Sequence, residues 1–292
     1  MAIILTERDV QLLKTLHTAR YLTTEQIQAL FYPGQGGVHG PRKICQRRLR
    51  QLYVHKLIRR IDPWVKRGQS YQSYIYALDK TGAHTLQHEF EISISEADWK
   101  PKSNEDNFSF MKHTLATNEI RIAVIRSCTG AGVELLTWLD EREIRGEYPD
   151  QVTITDPKTR KEAKTAVIPD SAFILAKGAK RSLCWLEIDM GTVTIEARNW
   201  ESKSWVKKIL AYLTYQKTAA PAQRYGHDSM ARILTVTTSE QRLQTLKQAT
   251  ERAGGSITFW FTTFQAIAAP DTNLLASPIW HVAGSTERKT LV

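Results

Sequence analysis

The sequence predicts a protein of the α/β class (α+β) with two domains, on three observations. The chain of 292 residues is long enough for two ordinary domains, each with its own core. Apolar residues make up 42% of it, and they recur at helical spacing in some segments and in strand-like runs in others. The charge is uneven, because residues 1–88 carry 14 Lys and Arg against 5 Asp and Glu, whereas residues 89–292 carry 26 against 25. Positive charge concentrated in this way is typical of proteins that bind the phosphate backbone of DNA.

Three helices are predicted at the start of the first domain, which we assign to residues 1–88. Thr6 precedes acidic residues and an apolar series at helical spacing, a pattern typical of a capped helix. A second short helix is expected after Thr23 or Thr24, followed by a loop that contains one Pro and three Gly. Pro41 favours the first turn of a third helix, which we expect to end near Lys56.

The predicted third helix carries basic residues on one face and apolar residues on the other. Lys43, Arg47 and Arg50, at offsets of four and seven, fall opposite Cys45 and Leu49. The expected DNA contacts are these basic residues, their basic neighbours and the tip of the hairpin that follows: Arg42, Lys43, Arg47, Arg48, Arg50, Lys66 and Arg67. A basic helix face can also be no more than a solvated surface, and charge alone does not decide between the two interpretations.

A hairpin with a basic tip is predicted after the third helix. Two extended runs, residues 57–65 and 71–78, are joined by a polar turn that contains Lys66 and Arg67. Three helices followed by such a hairpin are the order of a winged helix-turn-helix domain. In that fold the third helix lies in the major groove of double-stranded DNA and the hairpin contacts flanking phosphates.

The rest of the chain predicts a linker, a second domain and a short tail. Residues 89–106 are polar, rich in acidic residues and interrupted by a Pro, which is typical of a linker. The second domain is assigned to residues 107–282, and residues 283–292 to a flexible tail. Its predicted elements are a helix at 112–128, a strand at 133–138, a hairpin at 153–164, strands at 166–175 and 182–189, a helix at 200–215, a strand at 233–236 and a helix at 241–252. This succession predicts an α/β layer structure.

Three carboxylates are expected to converge in the second domain. Glu187 and Asp189 are two residues apart on a predicted strand and so project to the same face, and Asp170 on the preceding strand can lie across from them. Because carboxylates at close range repel one another, a Mg²⁺ or Mn²⁺ ion held by Asp170 and Glu187 is one expected source of balancing charge. Lys207 or Lys208 on the following helix is another, and the remaining alternative is that the acids are solvated at strand ends.

This carboxylate pattern resembles the core of the PD-(D/E)xK nucleases. There an aspartate on one strand and an acid-x-lysine motif on the next hold the metal and activate water. The resemblance implies a restriction-endonuclease-like α/β fold with Asp170, Glu187, Asp189 and Lys208 as the catalytic set. Asp189 stands where those nucleases have lysine, and Lys208 is the replacement that this chain offers. The domain is therefore expected either to cut DNA or to be a catalytically silent relative.

Over about residues 5–215 the chain resembles the replication-relaxation family of plasmid and mobile-element proteins. The matching features are the N-terminal winged helix, the helix near His113 with Asn118, the Pro169-Asp170 pair, the run from Glu187 to Thr192, and Lys208 followed by Tyr212. The resemblance implies a DNA-binding role in the replication, nicking, relaxation or mobilisation of an extrachromosomal element. The alternative is a non-enzymatic transcriptional regulator or replication initiator whose second domain mediates dimerisation, so a homodimer stays open.

Other chemistries find less support in the sequence. It contains neither a phosphate-binding loop GxxxxGK[ST] nor a serine elbow. Tyr212 or Tyr215 could attack a phosphodiester, but such enzymes usually need a His-x-His pair, which is missing, and packing explains His113, Trp200 and Trp205 more simply. The lack of a long apolar run or signal sequence, together with three scattered cysteines, predicts a protein of the reducing cytoplasm that does not contact membranes.

Overall fold

The computed structural model of the chain describes residues 3–34, 40–62, 73–92, 108–197, 199–227 and 230–292. The chain divides into two compact units, Met1–Ile122 and Ala123–Val292. The combination of helices with β-sheets confirms the predicted α/β (α+β) class. Within the ranges described, no helix combines the length and the apolar character needed to cross a bilayer.

Unit 1 combines helices with a small antiparallel sheet. Its described elements are α1 (Glu7–Ala19), β1 (Leu22–Thr23), α2 (Thr24–Phe31), α3 (Pro41–Val54), β2 (Ile58–Ile61), β3 (Ile75–Leu78) and α4 (Lys80–Glu89). Strand β3 lies between β1 and β2 and is antiparallel to both. The register pairs Leu22 with Tyr76 and Ile58 with Leu78.

The helices of unit 1 begin where the sequence predicts. Thr6 and Thr23 each accept a hydrogen bond from the backbone amide three residues later, and each belongs to a capping box. These bonds satisfy amides that a helix leaves unpaired in its first turn. Helix α3 begins at Pro41 as predicted but ends at Val54, two residues before the predicted end. Lys56 has a φ of 57°, a left-handed conformation that cannot continue the helix.

The apolar faces of α1 and α3 form the core of unit 1. Leu12 on α1 and Leu49 and Leu52 on α3 are completely buried. Helix α4 closely approaches the segment between α3 and β2 at Gly82, where an added Cβ atom would lie 2.1 Å from the carbonyl oxygen of Leu57. Only glycine fits this contact, so the packing of α4 depends on the absence of a side chain there.

Helix α5 (Phe108–Ala131) begins in unit 1 and ends in unit 2. The buried amide of Asn118 donates hydrogen bonds to the carbonyl oxygens of Ala19, at 3.0 Å, and Tyr21, at 2.8 Å. These bonds attach the first part of α5 to the end of α1. The division into domains therefore differs from the prediction, which placed residue 107 at the start of the second domain. Residues 93–106 of the predicted linker lie outside the described residues.

Unit 2 is built on a seven-stranded mixed sheet. Its described elements after α5 are β4 (Glu134–Asp140), α6 (Glu141–Arg145), β5 (Gln151–Thr155), β6 (Glu162–Ala166), β7 (Ser171–Lys177), β8 (Lys180–Asp189), α7 (Trp205–Tyr215), α8 (Ala220–Tyr225), β9 (Arg232–Thr237), α9 (Glu240–Arg252), β10 (Phe259–Thr263), α10 (Phe264–Ala268), β11 (Trp280–Val282) and β12 (Arg288–Lys289). The strand order is β12-β11-β10-β9-β8-β7-β4, with β5 and β6 as a separate pair. Strands β8, β9 and β10 run parallel, and the other neighbours are antiparallel.

Helices α7 and α9 cover one face of this sheet. The ring of Trp185 on β8 packs against Tyr212 and Tyr215 of α7, with centroids 5.4 and 5.5 Å away. The indole N–H of Trp205 donates a hydrogen bond to the Thr250 hydroxyl on α9 at 2.9 Å. These aromatic contacts fix α7 over β8, the strand that carries two of the predicted site residues.

Residues 283–292, predicted as a flexible tail, are folded onto the sheet instead. Strand β12 pairs with β11, and Leu291 is buried. The backbone N–H of Leu291 donates to Leu275 at 2.8 Å, and its carbonyl oxygen accepts a hydrogen bond from Arg232 at 2.6 Å. A polar composition suggested fraying, but one buried leucine and a short ladder are enough to hold this segment.

Candidate functional site

Helix α3 presents a row of cations on the side away from the core of unit 1. Cys45 and Leu49 are completely buried, whereas Lys43, Arg47 and Arg50 are exposed. We call these three residues the basic face of α3. Among the residues that the structure describes, none of the three has a side-chain hydrogen-bond or ion-pair partner. Their charge is therefore open to solvent rather than neutralised within the protein.

Arg48 lies off the basic face, in an ion pair with α1. Its guanidinium group donates to both carboxylate oxygens of Asp9, at 2.9 and 2.6 Å, and to the carbonyl oxygen of Ile4 at 2.8 Å. Burial would raise the pKa of Asp9, but hydrogen bonds from Arg48 and Thr6 outweigh it and lower that pKa below its usual value. Arg48 was predicted as a DNA contact, and the structure places it in the packing of α3 against α1.

The other predicted DNA contacts have different surroundings. Arg42 forms an exposed ion pair with Glu25 of α2 at 3.1 Å, so part of its charge is balanced. Lys66 and Arg67 lie outside the described residues. Arg60 on β2 is a basic residue of unit 1 that was not among the predicted contacts. Its guanidinium carbon lies 5.0 Å from the ring centroid of Tyr53 and 4.2 Å from that of Tyr74.

The predicted carboxylates of unit 2 lie on β8 and just before β7. Glu187 and Asp189 project from β8 toward the face covered by α7 and α9, and each is only 2% exposed. Asp170 directly precedes β7. Its backbone N–H donates to Leu186 at 3.0 Å, and its carboxylate accepts a hydrogen bond from the backbone N–H of Ile188 at 2.7 Å. Asp170 therefore lies across from Glu187, as predicted from the strand pattern.

Glu187 is held by two groups from α7. Lys208 and Tyr212 each donate a hydrogen bond to one of its carboxylate oxygens. Helix α7 begins at Trp205, later than the predicted residue 200, because the Ser204 side chain caps it. Lys208 and Tyr212 are four residues apart within α7 and therefore lie on the same face of the helix.

The protonation of this cluster follows from burial and from neighbouring charge. The pKa of Glu187 is raised to about 7: burial raises it most, Lys208 partly opposes this, and the Asp170 carboxylate adds to the rise. Burial would lower the pKa of Lys208, but the carboxylates of Glu187 and Asp170 more than offset this and raise it. Burial and Glu187 raise the pKa of Tyr212 well above its usual value, so its hydroxyl stays protonated as a donor.

Asp189 belongs to a separate pair. Its carboxylate accepts hydrogen bonds from the guanidinium group of Arg242 at 2.9 and 3.0 Å and from the Thr237 hydroxyl at 2.7 Å. The three predicted carboxylates are therefore divided: Asp170 and Glu187 lie together near Lys208, and Asp189 is neutralised by α9. The pairing of Arg242 with Asp189 could not be predicted from the sequence, because the two residues are 53 positions apart.

Two carboxylates of unit 2 are the residues that could contact a metal ion. Across the described segments, no group of three or more His, Cys, Asp or Glu side chains could hold a metal ion. Asp170 and Glu187 provide two carboxylates, a set that fits Mg²⁺ or Mn²⁺ when water and phosphate oxygens complete the coordination. Two carboxylates fill only part of the coordination of such an ion, so oxygen atoms from outside the protein would have to complete it.

The remaining candidates have structural surroundings. Tyr215 is buried and donates a hydrogen bond to Asp150, which also pairs with Arg224 at 2.6 Å. Trp200 lies under the Lys207 ammonium group, which also donates to its carbonyl oxygen at 2.6 Å. These contacts are typical of residues that secure α7 and α8 against neighbouring elements.

Comparison with known proteins gives one positive result. The family model described as replication-relaxation matches residues 13–256. No match was found among curated proteins or among solved structures. Since the matched region covers most of both units, the chain belongs to the replication-relaxation family.

Proposed function

We propose that this protein binds double-stranded DNA in the replication, nicking, relaxation or mobilisation of a plasmid or mobile element. Membership of the replication-relaxation family supports the theme of replication and mobile elements. Within unit 1, the order of three helices followed by paired strands supports a winged helix-turn-helix. In this proposal α3 lies in the major groove of the duplex.

The observation that carries this proposal is the exposure of the basic face of α3. The ion pairs with Asp9 and Glu25 engage Arg48 and Arg42, whereas Lys43, Arg47 and Arg50 are exposed on one side of the helix. An α-helix fits the major groove, and cations along its outer side reach the phosphates that flank the groove. Each phosphate contact releases bound counterions, which makes the affinity depend on salt.

Replacing two of these cations tests the proposal. We expect Arg47→Ala with Arg50→Ala to weaken binding to a duplex and to flatten the plot of log affinity against log salt by about two units. The control is Lys177→Ala with Lys180→Ala, which removes the same charge from the exposed ends of β7 and β8 on either side of their turn. Equal slopes for the α3 double variant and the unchanged protein, measured by fluorescence anisotropy, would mean that the helix does not contact DNA.

We propose further that unit 2 is nuclease-like, on the observation that Asp170, Glu187 and Lys208 lie together. Asp170 and Glu187 would hold Mg²⁺ or Mn²⁺, which when bound supplies polarisation of a phosphodiester and activation of water. Lys208 keeps a positive charge beside the two acids, and Tyr212 orients the Glu187 carboxylate by its hydrogen bond. Asp189 takes no part in this set because Arg242 neutralises it.

Incubation with supercoiled plasmid tests the catalytic proposal. We expect the full chain with Mg²⁺ or Mn²⁺ to relax or linearise the plasmid, and Asp170→Ala or addition of EDTA to stop it. Glu201→Gln, at an exposed position in unit 2, is the control and should keep the activity. Unchanged plasmid topology with the unaltered chain and Asp170→Ala alike would reject the catalytic role.

A non-enzymatic regulator or replication initiator is the second candidate function. It is favoured by Asp189, which stands at the position of the nuclease lysine and is neutralised by Arg242 and Thr237. In this case unit 2 serves dimerisation or docking of a partner. DNA binding would then be indifferent to EDTA, and a dimer would select an inverted repeat with half-sites about one helical turn apart.

A further inference from the structure

One uncharged side chain lies among the cations on the outer side of α3. Lys43, Gln46, Arg47 and Arg50 are spaced by three, four and seven residues, which places them along one side of a helix. All four are exposed, and the completely buried Cys45 faces the core. The described residues offer the Gln46 amide no hydrogen-bond partner. Gln46 therefore extends in the same direction as the residues that we propose as DNA contacts.

The neighbouring polar residues of α3 are already engaged. Arg42 pairs with Glu25, Arg48 pairs with Asp9, and the Gln51 amide oxygen accepts a hydrogen bond from Arg48 at 2.9 Å. The outer side thus keeps three cations and a single carboxamide for an external ligand. This division separates the two tasks of a DNA-binding helix, which are attraction to phosphates and recognition of bases.

The chemistry of Gln46 suits the second task. A neutral amide releases no counterions, so it adds little to phosphate binding. It presents one donor and one acceptor side by side, which match the N6 donor and the N7 acceptor of adenine in the major groove. Gln46 also lies in the first half of α3, the part of a recognition helix that contacts base edges.

We infer that Gln46 is a specificity-determining residue that recognises an adenine in the major groove. This inference rests on the proposed DNA binding by α3. It deepens that proposal by naming a base and the residue that recognises it, whereas the cations account for affinity.

Selection of duplexes from a random pool tests the inference. The full chain should enrich a motif that contains adenine at one position, and Gln46→Ala should lose the preference at that position alone. We expect discrimination against other bases there to fall by about 5- to 100-fold. The salt dependence of Gln46→Ala should stay unchanged, unlike that of the Arg47→Ala and Arg50→Ala double variant. Gln11→Ala, at an exposed position on α1, is the matched control and should select the same motif as the unaltered chain.

The outcomes separate this inference from the proposed function. If Gln46→Ala selects the same motif with the same discrimination, or if the unaltered chain binds duplexes without preference, the inference is overturned while DNA binding stands. If the unaltered chain binds no duplex, the proposed function is overturned as well. Because Gln46 is exposed, its replacement should leave the thermal unfolding temperature unchanged, which confirms that the variant is folded.

Discussion

The basic face of α3 and the acidic residues of β8 differ in how exposed their charges are and in whether those charges are paired. Lys43, Arg47 and Arg50 are exposed, and no partner for them appears in the described parts of the chain, whereas Glu187 and Asp189 are buried and each has a basic partner. A solvated cation costs the fold little and stays available to a ligand. A buried carboxylate needs internal compensation, because burial without a partner costs several kcal/mol. In the function that we propose, surface charge serves DNA binding, whereas buried charge first serves the fold.

The largest effect should follow from breaking the Asp189 pair. Arg242→Ala leaves a buried carboxylate whose remaining side-chain partner in the described part of the chain is the Thr237 hydroxyl, and we expect it to lower the free energy of unfolding by about 3–5 kcal/mol. Arg252→Ala on the same helix removes only a loose, exposed contact with Glu196 and should cost no more than about 1 kcal/mol. Urea denaturation measures both variants, and equal losses would contradict the distinction between buried and exposed pairs.

Within α3, neighbouring arginines should separate into a structural and a binding residue. Arg48→Ala removes the partner of buried Asp9, which keeps its bonds from Thr6, so we expect a loss of about 2–3 kcal/mol in the free energy of unfolding. Arg47→Ala should change that free energy by less than about 0.5 kcal/mol and weaken DNA binding instead. Chemical denaturation together with DNA titration would refute this separation if both variants lost the same property.

The difference between these arginines also marks how far the sequence could lead. Helical periodicity predicted which side of α3 is buried, and that prediction is confirmed at Cys45 and Leu49. Arg48 lies three residues after Cys45 and four before Leu52, a spacing that already places it beside the buried side of the helix. Its partner Asp9 could not be predicted, because the two are 39 residues apart and meet only when α1 packs on α3.

The same limit applies to unit 2. Strand periodicity placed Glu187 and Asp189 on one face, and the Asp170 pairing followed from two adjacent strands. What separates the acids is the position of α7 and α9 above the sheet, which depends on packing between distant segments. Strands β11 and β12 contain three and two residues, too short for a periodic pattern, so the fold of the last residues was missed.

The raised pKa of Glu187 predicts a dependence of stability on pH. Burial raises this pKa to about 7 in the folded protein, from an ordinary value of 4.5. The folded state therefore binds a proton that the unfolded state releases, and this contribution is complete below pH 4.5 and lost as the pH rises through 7. Relative to Glu187→Gln, the unaltered protein should lose about 1–3 kcal/mol in its free energy of unfolding between pH 4.5 and 8.

This pH effect is measured by urea denaturation in EDTA at several pH values, so that no metal contributes. Glu201→Gln replaces an exposed acid of the same unit and should follow the unaltered protein at every pH. A constant difference between Glu187→Gln and the unaltered protein would mean that Lys208 and Tyr212 keep the Glu187 carboxylate ionised throughout this range.

The smallest effect on stability is expected for the ion pair between Arg42 and Glu25. This pair is intermediate between the exposed cations of α3, which have no partner among the described residues, and the paired, buried acids of β8, because it is both paired and exposed. It is exposed, so Glu25→Gln should change the free energy of unfolding by less than about 0.5 kcal/mol. The substitution releases Arg42 from its partner and adds a cation to those on α3. If unpaired charge on this helix determines DNA affinity, log affinity should depend more steeply on log salt, by up to about one unit.

Glu7→Gln, which removes an exposed acid from the first turn of α1, is the matched control and should change this slope less. Equal slopes for both variants would mean that Arg42 does not reach a phosphate in the proposed complex with DNA.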